Sequence, residues 1–294
     1  MARPAQLALI ALVYALGVAM AYGRGGSTAP GSVAFGLLAL LPIAASVHYA
    51  NEYADVETDE LTDRTAFSGG SGALVDTDLS PRLAAGATVV SGVLGLLLVA
   101  IGTTPLSAQA LSTTSAALLV FVLLVGWQYS LGPLRLAWNG LGEVTNAALG
   151  GVVLPLYGFT VVSSTVTIDA ALATVPFALV VFVNLLETTW PDRLADSVVG
   201  KRTLATRWSP NRLRLVYGFV SAAAVVTGVA LAGSVLPVTV AVATLLPMIG
   251  LSVGAYRFTR HERPLPAVVT MVALAFTTTV GWALVADPAL VNFG

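Results

Sequence analysis

The stretch SVAFGLLALLPIAASVHYANEYADVETDELTD, residues 32–63, joins an apolar run directly to an acidic segment. The run at 32–50 is uncharged and has about the length, ~20 residues, that crosses the hydrocarbon core of a bilayer as a helix. The thirteen residues that follow hold six carboxylates, in a chain of which only 10% of residues are charged. The fold therefore has to explain a membrane helix that ends in concentrated acid.

The composition of the whole chain favours a membrane protein. The 294 residues are 56% hydrophobic, with a mean hydropathy of +0.86, and a soluble protein would expose too much apolar surface at that composition. The apolar runs are too long and continuous for the strands of a β-barrel. The first run could be a signal peptide, but no clear cleavage site precedes the second run, so we predict that it is a membrane helix. We predict one all-α transmembrane domain over residues 1–294. Its nine spans lie at roughly 5–22, 32–50, 83–102, 108–129, 141–163, 169–189, 213–232, 235–254 and 265–286.

The placement of basic residues predicts the orientation of the chain. If the N-terminus is cytoplasmic and the spans alternate, thirteen of the fourteen basic residues lie inside and only Arg24 lies outside. We therefore predict a multi-pass protein of the cell membrane with its N-terminus and its chemically active face in the cytoplasm. The net charge of −1 gives no indication of nucleic acid binding, and the absence of cysteine excludes disulfides, thiolate metal sites and a cysteine nucleophile.

Two acidic loops, at about 51–82 and 187–212, each follow an even-numbered span. Both contain Asp-x-x-x-Asp, as Asp55 with Asp59 and as Asp192 with Asp196, nearly half the chain apart. This suggests two pseudo-repeated, Asp-rich halves around a central cavity.

Residues four apart share one face of a helix, so Asn51, Asp55 and Asp59 would form a polar stripe that Asp63 extends if the helix persists. Such a stripe is repulsive unless something positive lies against it, and Mg²⁺ accepts carboxylate, phosphate and water oxygens together. A merely solubilising loop is the alternative, which two spaced pairs on one side disfavour. The predicted metal ligands are Asn51, Asp55, Asp59, Asp192 and Asp196. The basic residues expected to neutralise a bound diphosphate are Arg64, Arg135, Lys201 and Arg202.

A third loop, WQYSLGPLRLAWNGLGEV at 127–144, adds two candidates. Tyr129 would stabilise a cation or anchor the membrane interface. Glu143 would complement a helix N-terminus or touch substrate. The glycine-rich FSGGSG at 67–72 is either a phosphate cradle or a plain turn.

The segments NEYADVETD and DRLADSVVGKRTLA, at 51–59 and 192–205, resemble the two motifs of the UbiA superfamily of intramembrane prenyltransferases. The resemblance implies a nine-helix fold and Mg²⁺-dependent transfer of an isoprenoid chain from a polyprenyl diphosphate to an acceptor. It also implies that Asn51 and the four motif aspartates bind the metal and the diphosphate. We predict that Tyr129 lies beside the diphosphate.

Within that family, YSLGPLRLAWNGLGEV at 129–144 is similar to the 1,4-dihydroxy-2-naphthoate prenyltransferases of menaquinone biosynthesis. GGSGALVDTDLSP and GKRTLATRW, at 69–81 and 200–208, look like the same branch. This resemblance implies an aromatic acceptor, with Glu143 orienting it or removing its proton, so that Glu143 joins the aspartates as a catalytic candidate.

Other readings stay open. Geranylgeranylglyceryl phosphate, a carotenoid or another aromatic compound would keep the enzyme class and change the acceptor. A cation-coupled transporter would need acidic residues near the membrane midplane, and a non-catalytic scaffold would give no reason for two intact Asp pairs.

Overall fold

The computed structural model describes residues 3–62, 70–77, 79–287 and 289, and these residues contain helices and no strand. Nine helical segments in this part of the chain are long and apolar enough to cross a membrane, which confirms the predicted nine-span, all-helical class. Their bounds are Pro4–Gly23, Pro30–Ala54, Pro81–Gly102, Thr113–Ser130, Gly142–Ser163, Ile168–Thr189, Pro210–Leu231, Val238–Arg257 and Leu265–Ala286.

Two of the nine spans are interrupted, and short helices lie between others. We number the α-helices in chain order, and short 3₁₀ turns also occur in the connections. The α-helices are α1 Pro4–Gly23, α2 Pro30–Ala54, α3 Val56–Leu61, α4 Pro81–Gly102, α5 Thr113–Ser130, α6 Gly142–Ala148, α7 Leu154–Ser163, α8 Ile168–Thr189, α9 Arg193–Val198, α10 Leu204–Arg207, α11 Pro210–Leu231, α12 Val238–Leu245, α13 Gly250–Arg257 and α14 Leu265–Ala286. A π-helical segment, Leu149–Val153, joins α6 to α7, and a 3₁₀ segment, Leu246–Ile249, joins α12 to α13.

The bundle is tied together by α1, which packs against both α7 and α14. Where α1 crosses α7, a Cβ atom on Gly17 would lie 1.8 Å from the carbonyl oxygen of Pro155, and one on Gly158 would lie 2.2 Å from that of Tyr14. Only glycine permits backbones to approach this closely, as is usual between membrane helices. The first span is therefore locked against the fifth.

The acidic segments lie on one face of the bundle, which we call the loop face. It carries the C-terminal ends of α2, α5 and α8 together with α3, α9 and α10. Arg3 lies on this face, because its guanidinium pairs with Glu52 of α2 at 2.8 Å. Arg24 lies at the opposite end of the bundle, beside Asp169 at 3.7 Å. This separation agrees with the charge pattern, while which face is cytoplasmic stays a prediction, as do the pseudo-repeat and the central cavity.

Candidate active site

The first Asp segment keeps helical spacing across a break in the helix. Helix α2 ends at Ala54, and Asp55 leaves the ideal helical region with φ −102° and ψ 10°. The N–H of Asp55 still donates to the carbonyl of Asn51 at 2.9 Å, and the N–H of Asp59 donates to that of Asp55 at 2.8 Å. The predicted stripe of Asn51, Asp55 and Asp59 is therefore present in the backbone, whereas Asp63 lies outside the described residues.

The second Asp segment repeats this construction. Helix α8 ends at Thr189, and α9 begins directly after Asp192. The N–H of Asp196 donates to the carbonyl of Asp192 at 2.8 Å, so these two aspartates are also one helical turn apart. Asp196 is buried, with 2% of its surface exposed.

Lys201 brings the two segments together. Its ammonium nitrogen donates to Oδ1 of Asp55 at 3.1 Å and lies 3.5 Å from Oδ1 of Asp196. The backbone N–H of Lys201 donates to the carbonyl of Asp196 at 2.8 Å, which fixes the start of this loop. The lysine that the sequence assigned to phosphate thus lies between two carboxylates drawn from distant parts of the chain.

The acids around Lys201 carry excess negative charge in a poorly solvated site. This acidic cluster consists of Asp55, Asp59, Asp192 and Asp196. Burial, then the charge of Asp55, raises the pKa of Asp59 to about 7. Burial, then the charge of Asp196, raises the pKa of Asp192 to about 7. Burial likewise raises the pKa of Asp196 to about 6, although Lys201 opposes the shift. The pKa of Lys201 is itself raised, because the two carboxylates outweigh the effect of burial. One lysine is therefore too little positive charge for this group of acids.

Two carboxylate oxygens in the cluster lack a hydrogen-bond donor. Oδ1 of Asp192 and Oδ1 of Asp196 are buried and accept no hydrogen bond within the part of the chain that the structure describes. Across the same residues, no three acidic or histidine side chains converge closely enough to form a metal site by themselves. Mg²⁺ usually takes one or two protein carboxylates and fills its other positions with water and phosphate, so the donor set fits an ion that binds together with a phosphate ligand.

Asn51 is held by a residue that the sequence analysis missed. The hydroxyl of Ser130, the last residue of α5, donates to Oδ1 of Asn51 at 3.0 Å. The amide oxygen expected to bind metal is therefore already an acceptor here. The only sequence signal for Ser130 was its position next to Tyr129.

Glu143 and Tyr129 border the same region. Oε1 of Glu143 accepts a hydrogen bond from the N–H of Leu204, the first residue of α10, at 2.8 Å, while the buried Oε2 has no partner in the described residues. The hydroxyl of Tyr129 interacts with the side chain of Asn146 and lies within electrostatic range of Lys201 and Glu143. Glu143 thus complements two helix N-termini, that of α6, in whose first turn it lies, and that of α10.

The remaining predicted cations are less closely associated with the acids. The guanidinium of Arg135 stacks on the ring of Trp138 at 4.0 Å from the centroid. Arg202 lines an open pocket next to Lys201. Neither forms an ion pair with an acid of the described residues, so their contact with diphosphate stays a prediction. Arg64 lies outside the described residues.

A buried glutamate, Glu52, organises the glycine-rich loop. Besides its ion pair with Arg3, Oε1 of Glu52 accepts the N–H of Ser71 at 2.9 Å, and the Ser71 hydroxyl also donates to this carboxylate. Gly70 then lies directly over Asp59, because a Cβ atom there would be 1.8 Å from Oδ2 of Asp59. In this loop the Ser71 N–H is used by Glu52. The choice between a phosphate cradle and a plain turn in FSGGSG stays open, because residues 67–69 lie outside the described residues.

The model of the UbiA prenyltransferase family matches residues 11–275. A UbiA homolog from Aeropyrum pernix K1 has a TM-score of 0.75 at 17% identity, over 96% of this chain and 98% of that one. A UbiA homolog from Archaeoglobus fulgidus bound to GPP and Mg²⁺ has a TM-score of 0.71 at 18% identity, over 94% and 96%. A digeranylgeranylglyceryl phosphate synthase has a TM-score of 0.65 at 13% identity, over 93% of each chain.

No curated protein matches this sequence significantly. The solved structures share the fold, and the family model covers most of the chain, which confirms the expected enzyme class. The chain belongs to the UbiA prenyltransferase family.

Proposed function

We propose that the chain transfers a polyprenyl group from a polyprenyl diphosphate to an aromatic acceptor, with Mg²⁺ as cofactor. The observation that carries this proposal is the convergence of Asp55 and Asp196, from two separate Asp segments, on Lys201. The structural relatives from Archaeoglobus fulgidus that are bound to GPP or DMAPP with Mg²⁺ support it.

The metal ligands in this proposal are the two Asp pairs, Asp55 with Asp59 and Asp192 with Asp196, assisted by Asn51. Bound Mg²⁺ would neutralise the diphosphate, making it a better leaving group in a site shielded from water. Oδ1 of Asp192 accepts no hydrogen bond from the described residues, and Oδ1 of Asp196 has only the ammonium of Lys201 at 3.5 Å, so both oxygens can accept such an ion. Asn51 would join as a ligand after the Ser130 hydroxyl turns away from its amide oxygen.

Other residues of the chain would handle the remaining charge and the hydrocarbon. Lys201, already poised between both Asp segments, would share its ammonium with the diphosphate oxygens once divalent cations satisfy the carboxylates. Tyr129 would line the site beside it. The prenyl chain would lie along the apolar spans, since the acids are at the end of membrane helices, where a lipid tail and a charged head group meet.

For the acceptor we propose 1,4-dihydroxy-2-naphthoate, which would make the reaction a step of menaquinone biosynthesis. The resemblance of the 129–144 loop supports this choice. Glu143 would orient the acceptor or take its proton through Oε2, the carboxylate oxygen that has no partner in the described residues. Geranylgeranylglyceryl phosphate is the second candidate acceptor, because a digeranylgeranylglyceryl phosphate synthase shares the fold.

The test is an acceptor panel with purified protein in lipid nanodiscs. A long-chain prenyl diphosphate and Mg²⁺ are supplied with 1,4-dihydroxy-2-naphthoate or geranylgeranylglyceryl phosphate, and products are identified by mass spectrometry. We expect a prenylated 1,4-dihydroxynaphthalene, formed with release of diphosphate and CO₂. A product with the glycerol phosphate alone would overturn the acceptor assignment and keep the enzyme class.

The same assay tests the metal site. Asp55→Ala and Asp192→Ala should abolish transfer while the protein stays folded and inserted, because each removes a ligand from one Asp segment. Asp169→Ala is the matched control, since Asp169 is an exposed acid at the opposite end of the bundle. Full activity in Asp55→Ala would contradict the proposed site.

A further inference from the structure

A pocket of about 440 Å³ lies on the loop face beside the acidic cluster. Small-molecule sites usually measure about 300–1,000 Å³, so this volume suits a ligand larger than a single phosphate. Lys201 separates the pocket from the acids, since it lines the pocket and its side chain also contacts Asp55 and Asp196. The residues that line the pocket are Ser197, Gly200, Lys201, Arg202, Thr206 and Arg207.

The positive charge in this pocket is unevenly compensated. The ammonium of Lys201 is neutralised by two carboxylates. Arg202 and Arg207 form no ion pair with any acid of the described residues, and buried Glu143 acts on Arg207 only at longer range. Both arginines are exposed, line an open pocket and have no partner carboxylate among the described residues. A guanidinium donates paired hydrogen bonds that match the oxygens of a carboxylate or a phosphate.

The pocket is lined by residues 197–207, and this segment is held in place by the loop between α5 and α6. The N–H of Arg202 donates to the carbonyl of Trp138, in the loop between α5 and α6, at 3.0 Å. The side chain of Arg207 packs on Gly140 of the same loop, because a Cβ atom at Gly140 would lie 2.4 Å from Nη1 of Arg207. Gly140 itself has a φ of +79°, which favours glycine. The hydroxyl of Thr206 donates to the carbonyl of Thr203 at 2.9 Å. The backbone of Arg202 and the side chain of Arg207 are thus held against this loop, and any side chain at Gly140 would displace Arg207.

We propose that this pocket binds the anionic head group of the acceptor, a carboxylate or a phosphate, with Arg207 and Arg202 as its recognition residues. The inference rests on the prenyl transfer proposed above and assigns each substrate its own site. The four motif aspartates bind the metal and the diphosphate, and the pocket of Arg202 and Arg207 binds the anion of the acceptor. Arg202 is thereby reassigned from diphosphate to acceptor. Both a naphthoate and a glycerol phosphate carry the required charge, whereas a carotenoid has no group for this pocket.

The test separates acceptor binding from donor binding. Arg207→Gln and Arg202→Gln are compared with wild type and with the control Arg214→Gln, whose guanidinium bonds to Asn211 outside the pocket. We expect each pocket variant to raise the KM for 1,4-dihydroxy-2-naphthoate about tenfold or more, since a hydrogen bond to a charged group is lost. The KM for the donor should not change. The methyl ester of the acceptor is uncharged and cannot lose CO₂, so it serves as a competitive inhibitor, and its inhibition constant should be the same in variant and wild type.

A second arm identifies the source of the anion. If geranylgeranylglyceryl phosphate is the acceptor, its KM rises in the Arg207→Gln variant and that of phosphate-free geranylgeranylglycerol does not. A rise in the KM of the donor alone would overturn the proposal, because the pocket would then serve the diphosphate. Unchanged KM values throughout would overturn it as well.

A third measurement keeps this proposal distinct from the proposed function. The dissociation constants of both acceptors are measured calorimetrically without donor, for wild type and for Arg207→Gln. If wild type transfers to no acceptor, the proposed function fails, and a weaker binding of the anion by the variant still supports the pocket. If wild type transfers and both proteins bind every acceptor equally, the pocket assignment fails alone.

Discussion

Lys201→Met removes the positive charge that joins the two Asp segments. Lys201 is the single lysine of the chain, and its side chain is 12% exposed, against 10% for Asp55 and 2% for Asp196. Methionine keeps most of the length and apolar stem of lysine. The substitution therefore tests the charge more than the packing.

The expected loss of stability follows from this burial. Removing one partner of a buried ion pair costs about 3–5 kcal/mol, because the remaining charge is left uncompensated. Here the carboxylates have an alternative, since they can bind a divalent cation. We therefore expect Lys201→Met to lose about 3 kcal/mol of unfolding free energy without Mg²⁺. Saturating Mg²⁺, which binds the folded state selectively, should recover most of that loss.

The assay is denaturant unfolding of the purified protein in the same detergent, with a chelator and with increasing Mg²⁺. Lys201→Arg keeps the charge and should behave nearly as wild type in the chelator. Arg214→Met removes a basic residue away from the acids and controls for net charge. An equal loss of stability with and without Mg²⁺ would refute the reasoning, because the lysine would then support the fold independently of a metal site. No loss in the chelator would refute it too.

Three further predictions concern the same face of the bundle. Glu143→Gln should keep the cap on α10 and Glu143→Ala should lose about 1 kcal/mol, and comparing their prenyl transfer at equal stability separates capping from chemistry. Arg193→Ala breaks the ion pair with Glu262, whose side chain is 59% exposed. The substitution should lower the free energy of unfolding by at most about 1 kcal/mol, measured by thermal unfolding. A larger loss would show that the pair contributes more than a surface ion pair does. Burial raises the pKa of Asp59 and Asp192 to about 7 from 3.8, so the metal-free folded state holds extra protons between these values. Its stability should fall as pH rises through that window, while Mg²⁺ affinity measured by calorimetry should rise from pH 6 to pH 8, and a flat profile would contradict the raised values.

Short-range chemistry made much of the fold predictable. Each span is written in about 20 consecutive apolar residues, so hydropathy alone located all nine. The four-residue spacing of Asn51, Asp55 and Asp59 likewise predicted their alignment, because the i to i−4 hydrogen bonds that create it are local. The break at Asp55, between α2 and α3, was not visible in this pattern.

The partners of the site residues were much less predictable. In the sequence, Glu52 was one of six acids in the segment at 51–63. In the structure it is buried, forms an ion pair with Arg3 and accepts a hydrogen bond from Ser71. Glu187 read as part of an acidic loop, yet it is buried in α8 and accepts hydrogen bonds from the Tyr217 hydroxyl at 2.8 Å and the Ala267 N–H at 3.2 Å. Neither role leaves a local signal, because composition does not distinguish a solvated carboxylate from a buried one.

The sequence by itself determined that this protein spans a membrane, that it has nine apolar segments of spanning length, and that acidic segments follow the second and the sixth of them. Only the tertiary structure decided that Asp55 and Lys201, 146 residues apart, share a hydrogen bond, and that Arg207 packs against Gly140 beside an open pocket. The physical reason is that hydropathy specifies burial in lipid without specifying neighbours. Close backbone approaches, such as Gly17 against Pro155, decide which spans meet and therefore which loops form the site.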